Sequence, residues 1–186
     1  MISLEQLWLP IVISAVAVFV ASSLIHMVFK WHNSDYHKLA NEDQVRAAIR
    51  SSNPAPGLYL MPYCKDSKDM GTPEMLQKFK EGPNGFLSLM APSAPSMGKP
   101  LGLWFASNLV IAIVVGYLAS RTVPAGASFL AVCRVVGIVT LFAYAWGGVH
   151  QAIWFGKPWP SAAKEVLDAF IYGLVSAATF GWLWPR

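Results

Sequence analysis

The chain has 186 residues, of which 55% are hydrophobic and only 13% charged, and its mean hydropathy is +0.44. A soluble domain carries roughly a quarter charged residues, so this composition excludes one and points to an integral membrane protein. Lys and Arg number 14 against 10 Asp and Glu, a mildly basic balance with no Lys/Arg-rich run of the kind that binds nucleic acid.

Four apolar stretches are long enough to cross a bilayer as helices: residues 7–29, 101–119, 128–149 and 166–184. The first has no basic residue before it and no small-residue cleavage site before Lys30, so it reads as a retained anchor rather than a signal peptide. Pro10 falls in its first turn, where a missing N–H costs little. Lys30, Lys38 and Lys99 flank the segment between the first two spans, and Lys157 and Lys164 follow the third; only Arg121 and Arg186 lie on the other side. By the positive-inside rule the expected topology is multi-pass in a bacterial inner membrane, with both termini outside and residues 31–100 cytoplasmic. Indole rings favour the interface. Trp8, Trp182 and Trp184 fall at the expected outer boundary, and Trp31, Trp104, Trp146, Trp154 and Trp159 near the inner one.

Residues 31–100 hold eight of the 13 prolines and much of the charge, which marks a separate small α+β insertion. Asn41 to Gln44 resembles a capping box opening a helix through Arg50. Residues 58–61 read as a strand, Thr72-Pro73 as the cap and first residue of a second helix to about Lys80, and residues 86–90 as a second strand. The predicted order is α-β-α-β. Five of the seven methionines (Met61, Met70, Met75, Met90 and Met97) lie here with Cys64. Such soft donors suit Cu(I), but no Met-x-Met or CxxC spacing accompanies them, and the expectation is that Met61, Met75 and Met90 fill the module's core. Cys64 and Cys133 form no disulfide framework.

Between the third and fourth spans, residues 150–165 are aromatic and too polar to cross, and read as an interfacial loop with Ser161 as a cap for the last helix. Ala169, Gly173, Ala177 and Gly181 recur every four residues on that helix, a face suited to close packing.

Ionisable groups within spans are costly and are the strongest functional pointers in such a chain. Arg134 is expected roughly 9 Å inside the outer end of the third span, to snorkel outward or bond groups such as Ser14, Tyr117 and Thr179. Asp168 is expected in the first turn of the fourth helix, where the dipole favours a carboxylate, too far in depth to pair with Arg134. Asn108 is expected to bond between helices. His26 and His150 fall at similar depth near the inner boundary, with Lys164, Asp168, His32 and His37 close by; two histidines on different helices can ligate haem or a metal, or relay protons with Asp168.

No phosphate loop, nucleophile elbow, zinc-protease motif or paired-carboxylate constellation supports an enzyme, and no cofactor is required by any motif. The sequence therefore reads as a four-helix membrane bundle with a small insertion, a non-catalytic accessory or scaffolding subunit whose partners are the lipid bilayer and other membrane subunits or further copies of itself. The alternatives are a haem- or metal-binding electron-transfer subunit using His26 and His150, and a small oligomeric channel or transporter.

Overall fold

The computed structural model describes residues 2–186. The chain divides into two compact units, one of the residues up to Tyr36 with Ser96–Ala152 and Lys157–Arg186, the other of His37–Pro95 with Ile153–Gly156.

The first unit is helical. A 3-10 turn, Leu4–Leu7, is opened by a reciprocal capping box in which Ser3 Oγ accepts from the Gln6 N–H and Gln6 Oε1 accepts from the Ser3 N–H at 3.0 Å. It leads into α1 (Trp8–Ser23), which ends in a π-helical stretch, Leu24–Phe29. Lys30 then adopts a left-handed conformation (φ 53°), and a second 3-10 turn, Trp31–Asp35, follows. The other long helices are α4 (Gly98–Thr122), α5 (Phe129–Phe155) and α6 (Trp159–Trp182).

α1 packs against both α4 and α6. The main core combines Leu7, Ile11 and Ala15 with Val115 and Ala119 of α4, Val132 and Val136 of α5, and Phe180 of α6. Outward-facing residues such as Val16, Val20, Val110, Val114, Leu130, Ile138 and Leu174 are exposed. Apolar side chains on outer helix faces suit lipid rather than water. The stretches Leu4–Phe29, Gly98–Thr122 and Phe129–Phe155 are long and apolar enough to cross a membrane. α6 is equally long but carries Lys164, Glu165 and Asp168 in its first half, and is not among the three.

The second unit contains α2 (Glu42–Ser51), β1 (Gly57–Met61), α3 (Pro73–Glu81) and β2 (Gly85–Leu89). The strands pair antiparallel, with Gly57 opposite Leu89 and Met61 opposite Gly85. Val45, Ile49, Met75, Phe79, Leu87 and Leu89 are half-buried, and neither helix buries a residue fully. Phe86 lies tilted against Phe155 at 5.0 Å between ring centroids. The Thr72 hydroxyl caps α3 by accepting from the Met75 N–H.

Several expectations change. Residues 150–165 are mostly helical: α5 runs unbroken to Phe155, since nothing before Gly156 (φ +69°) breaks it, and α6 starts at Trp159. Pro160 sits in the first turn of α6, where no N–H is missed. Ser161 is inside α6 rather than its cap, a position held by Pro158. Asp168 consequently lies nine residues beyond Trp159, outside the first turn, so the helix dipole does not explain it. Asn41 precedes α2, but its side chain makes no capping bond. Met61 and Met90 are exposed (43% and 88%) rather than core, one at the end of β1 and the other just beyond β2.

Candidate functional site

The polar residues of the helical unit converge where the π-helical end of α1 and the Trp31–Asp35 turn meet α6. Two features of the backbone place them there. The π-helical stretch carries His26, and the left-handed Lys30 reverses the chain so that His32, six residues later, returns over it. The two imidazoles stack with centroids 4.7 Å apart and planes 4° from parallel.

Each ring is held from behind. His26 Nδ1 is 2.9 Å from the Ser22 carbonyl oxygen, which only accepts, so Nδ1 carries the hydrogen and donates. His32 Nδ1 is 2.9 Å from Asp35 Oδ2, and its Nε2 is 2.8 Å from Asp168 Oδ2. Carboxylates likewise only accept, so these two bonds are satisfied together when both nitrogens of His32 bear hydrogen. His26 Nε2 lies 4.0 Å from the same Asp168 oxygen.

α6 supplies the other half of the corner. Lys164 and Asp168 are four residues apart and therefore share a helix face. Lys164 Nζ donates to the Trp31 carbonyl at 2.9 Å, Ser34 Oγ at 2.7 Å and Asp35 Oδ1 at 2.6 Å. The turn is thus clamped by one α6 residue through its backbone and by the other through His32. The hydrogen bond from Lys164 holds the Asp35 carboxyl down at about 2, below its ordinary 3.8, with further help from His32. Asp168 is buried, and its Oδ1 has no hydrogen-bond partner among the described residues. A buried carboxylate oxygen without a donor is costly, and is the most conspicuous unmet demand in the corner.

Asp168 and His26 also line a cavity of about 500 Å³, within the range of small-molecule sites. Its walls include Trp104, Tyr144, Tyr172 and Leu101, with the exposed Met27 and Met97 among its lining. The walls are fixed by their own bonds: Trp104 Nε1 donates to Ser22 Oγ at 2.8 Å, and the Tyr144 hydroxyl donates to Asn108 Oδ1 at 2.9 Å. Tyr144 meets Trp104 and Tyr172 edge-on. Glu165 pairs with Lys157, and its carboxylate lies in the space a side chain at Gly148 would fill.

Of the residues singled out from sequence, His26 and Asp168 enter this corner, and Asn108 supports its wall. His150 is exposed and lies outside the His26, His32 and Asp168 group, so the histidine beside His26 is His32. Arg134 is exposed on α5 with no partner among the described residues; Ser14 bonds Ser176 instead, and Thr179 bonds the Val175 carbonyl. Gly173 and Gly181 face α5, close to Gly137 and to Phe129 and Cys133 respectively. Trp8, Trp146, Trp154, Trp159 and Trp182 are exposed, whereas Trp184 is buried and donates to the Pro124 carbonyl. Trp31 is partly buried.

Sequence reading missed Asp35, the central place of His32, and the clamp made by Lys164. The available signals were His32 and Asp35 three residues apart and Lys164 and Asp168 four apart, spacings that each put two side chains on one helical face. Comparison with protein-family models, curated proteins and solved structures finds no match, so the residues of this corner carry the functional argument alone.

Proposed function

We propose that the chain is a four-span membrane protein that takes the polar head of an amphipathic small molecule into the cavity beside Asp168. The observation that carries this reading is a cavity with aromatic walls that is also lined by Asp168, a buried carboxylate whose Oδ1 has no hydrogen-bond partner among the described residues. An apolar body fits against Trp104, Tyr144, Tyr172 and Leu101, while a polar head meets His26 and Asp168 in the same lining. Mostly apolar walls with a few placed polar groups are the usual composition of such sites. In this reading α6 serves as the fourth span through residues 166–184, and the lysine distribution supports a cytoplasmic position for the cavity end of the bundle, in a bacterial inner membrane.

The test uses Gly147, which lines the cavity and where an added Cβ meets nothing within 4 Å. Phe at this position places an aromatic ring at the cavity lining with no clash at its Cβ. Organic extraction of wild-type protein purified in mild detergent should yield a molecule enriched at least tenfold over bulk lipid, and Gly147→Phe should lose it. Equal enrichment in both proteins contradicts the reading.

A second reading, an accessory subunit of a larger membrane complex, is favoured by one surface. Leu130, Arg134, Ile138, Phe142 and Trp146 recur every four residues on α5, and all are exposed. A partner helix seated there would appear as a stoichiometric co-purifying protein by mass spectrometry, and Ile138→Arg should release it.

A further inference from the structure

We infer that His26, His32 and Asp168 form a binding site for one divalent first-row metal ion of the zinc type. The inference deepens the cavity reading, since it identifies what the polar end of the cavity presents to a ligand, but it stands on separate observations.

The three side chains offer ligand atoms that all lie within 4.8 Å of one another. In His26, the Nδ1 hydrogen is committed to the Ser22 carbonyl, which leaves the Nε2 lone pair as the free donor, on the side of Asp168. In His32, the bond to Asp35 fixes Nδ1 and turns Nε2 toward Asp168. This is the arrangement of metal-binding histidines in general, in which the second ring nitrogen donates to a carbonyl or carboxylate that sets tautomer and ring orientation. Asp168 adds a carboxylate whose Oδ1 is buried and unpartnered.

Two of the three donor separations lie within 1 Å of those an ion needs, and the third, between the stacked rings, is at most 4.8 Å. A tetrahedral ion with bonds of about 2.0–2.1 Å holds its donors about 3.4 Å apart. The His32 Nε2 to Asp168 Oδ2 separation is 2.8 Å and the His26 Nε2 to Asp168 Oδ2 separation 4.0 Å, so one opens and the other closes by less than 1 Å. The hydrogen now shared between His32 and Asp168 leaves when the ion arrives, because both groups ligate in their deprotonated forms. Two imidazoles and a carboxylate, with no thiolate, form a borderline-to-hard donor set suited to Zn²⁺ or Fe²⁺ and leave coordination positions open. His26 and Asp168 both line the cavity, so an open position there is available to a ligand's head group.

The probe is zinc itself, titrated by calorimetry into full-length protein purified without a histidine tag and stripped of metal by chelator. Wild type should bind one Zn²⁺ per chain. His26→Gln, His32→Gln and Asp168→Asn should each weaken binding at least tenfold. Asp35→Asn, which removes the group that positions His32, should weaken it by about 10- to 100-fold, and His150→Gln should leave it unchanged. Because Asp168 and His32 also hold the turn, folding of each variant is followed by size exclusion and far-UV circular dichroism; Co²⁺ bound to wild type should in addition give visible bands of a low-coordinate nitrogen and oxygen site. Absence of stoichiometric zinc in wild type, or wild-type affinity in the folded His26→Gln and His32→Gln variants, overturns the inference. Gly147→Phe should keep its zinc while losing the organic ligand, so failure of the metal site and failure of the cavity reading are separately visible.

Discussion

Asp168 and Lys164 hold one turn by different means, and their substitution should separate the two contributions. Asp168 faces His32 from a buried position, and a hydrogen bond to a charged group contributes about 1.5–3 kcal/mol. Asp168→Asn keeps the shape but removes the charge, and should lower stability by about 2 kcal/mol in detergent unfolding, with Lys164 still holding Asp35. The acid sensitivity of the metal-free protein should report on Asp35. Its carboxyl is lowered from 3.8 to about 2 by Lys164 and His32; a lowered folded-state value stabilises at pH above the unfolded value and the effect disappears as pH falls through the folded one. The difference in melting temperature between wild type and Asp35→Asn should therefore be constant above about pH 4 and shrink between about 4 and 2. A difference that instead grows on acidification contradicts the assigned pairing. His26 and Asp168 were legible in the sequence because ionisable residues within spans are rare. His32 was legible only as a neighbour of this group, and Asp35 not at all, because their placement depends on the π-helical stretch and the left-handed Lys30, neither of which leaves a periodic signature.

At the level of elements, the small-residue face of α6 has consequences that differ from glycine to glycine. A Cβ at Gly173 would stand 3.0 Å from the Gly137 carbonyl oxygen, a backbone atom that cannot swing aside, whereas a Cβ at Gly137 meets only Ala177 Cβ at 3.5 Å and the Gly173 carbonyl oxygen at 3.7 Å. Overpacking a filled interface costs about 1–3 kcal/mol. Gly173→Ala should therefore destabilise by that amount, and Gly137→Ala, an ordinary van der Waals contact, should be tolerated; thermal denaturation of the two variants side by side checks the contrast. The four-residue spacing of this face was readable from sequence, but the partner helix was not, since small residues allow the close approach of any helix, of this chain or of another. Helix boundaries near 150–165 were the least legible: the aromatic and polar composition suggested a loop, while helix continuity depends on the absence of a breaker before Gly156. In the second unit, Thr72-Pro73 marked the start of α3 well, because local capping and backbone constraints act without help from distant contacts.

For the molecule as a whole, α6 decides the number of spans. The three other long helices meet the length and hydropathy of a span by themselves, whereas α6 carries Lys164, Glu165 and Asp168 in its first half. Those charges are met locally, by Asp35, Lys157 and His32, which lowers the cost of holding them at the edge of a membrane. Charge is thus segregated: apart from Arg134 on α5, charged side chains sit in the second unit, near the helix ends and in this one corner. The most direct measurement is the accessibility of both ends of α6. In protein whose Cys64 and Cys133 are replaced by Ser, single cysteines at Trp159 and Arg186 are treated with a membrane-impermeant maleimide in intact cells. Arg186→Cys should label from outside and Trp159→Cys only after permeabilisation, as a helix that crosses requires. Labelling of both from the same side would contradict the fourth span and, with it, the placing of the His26, His32 and Asp168 corner at the inner end of a closed bundle.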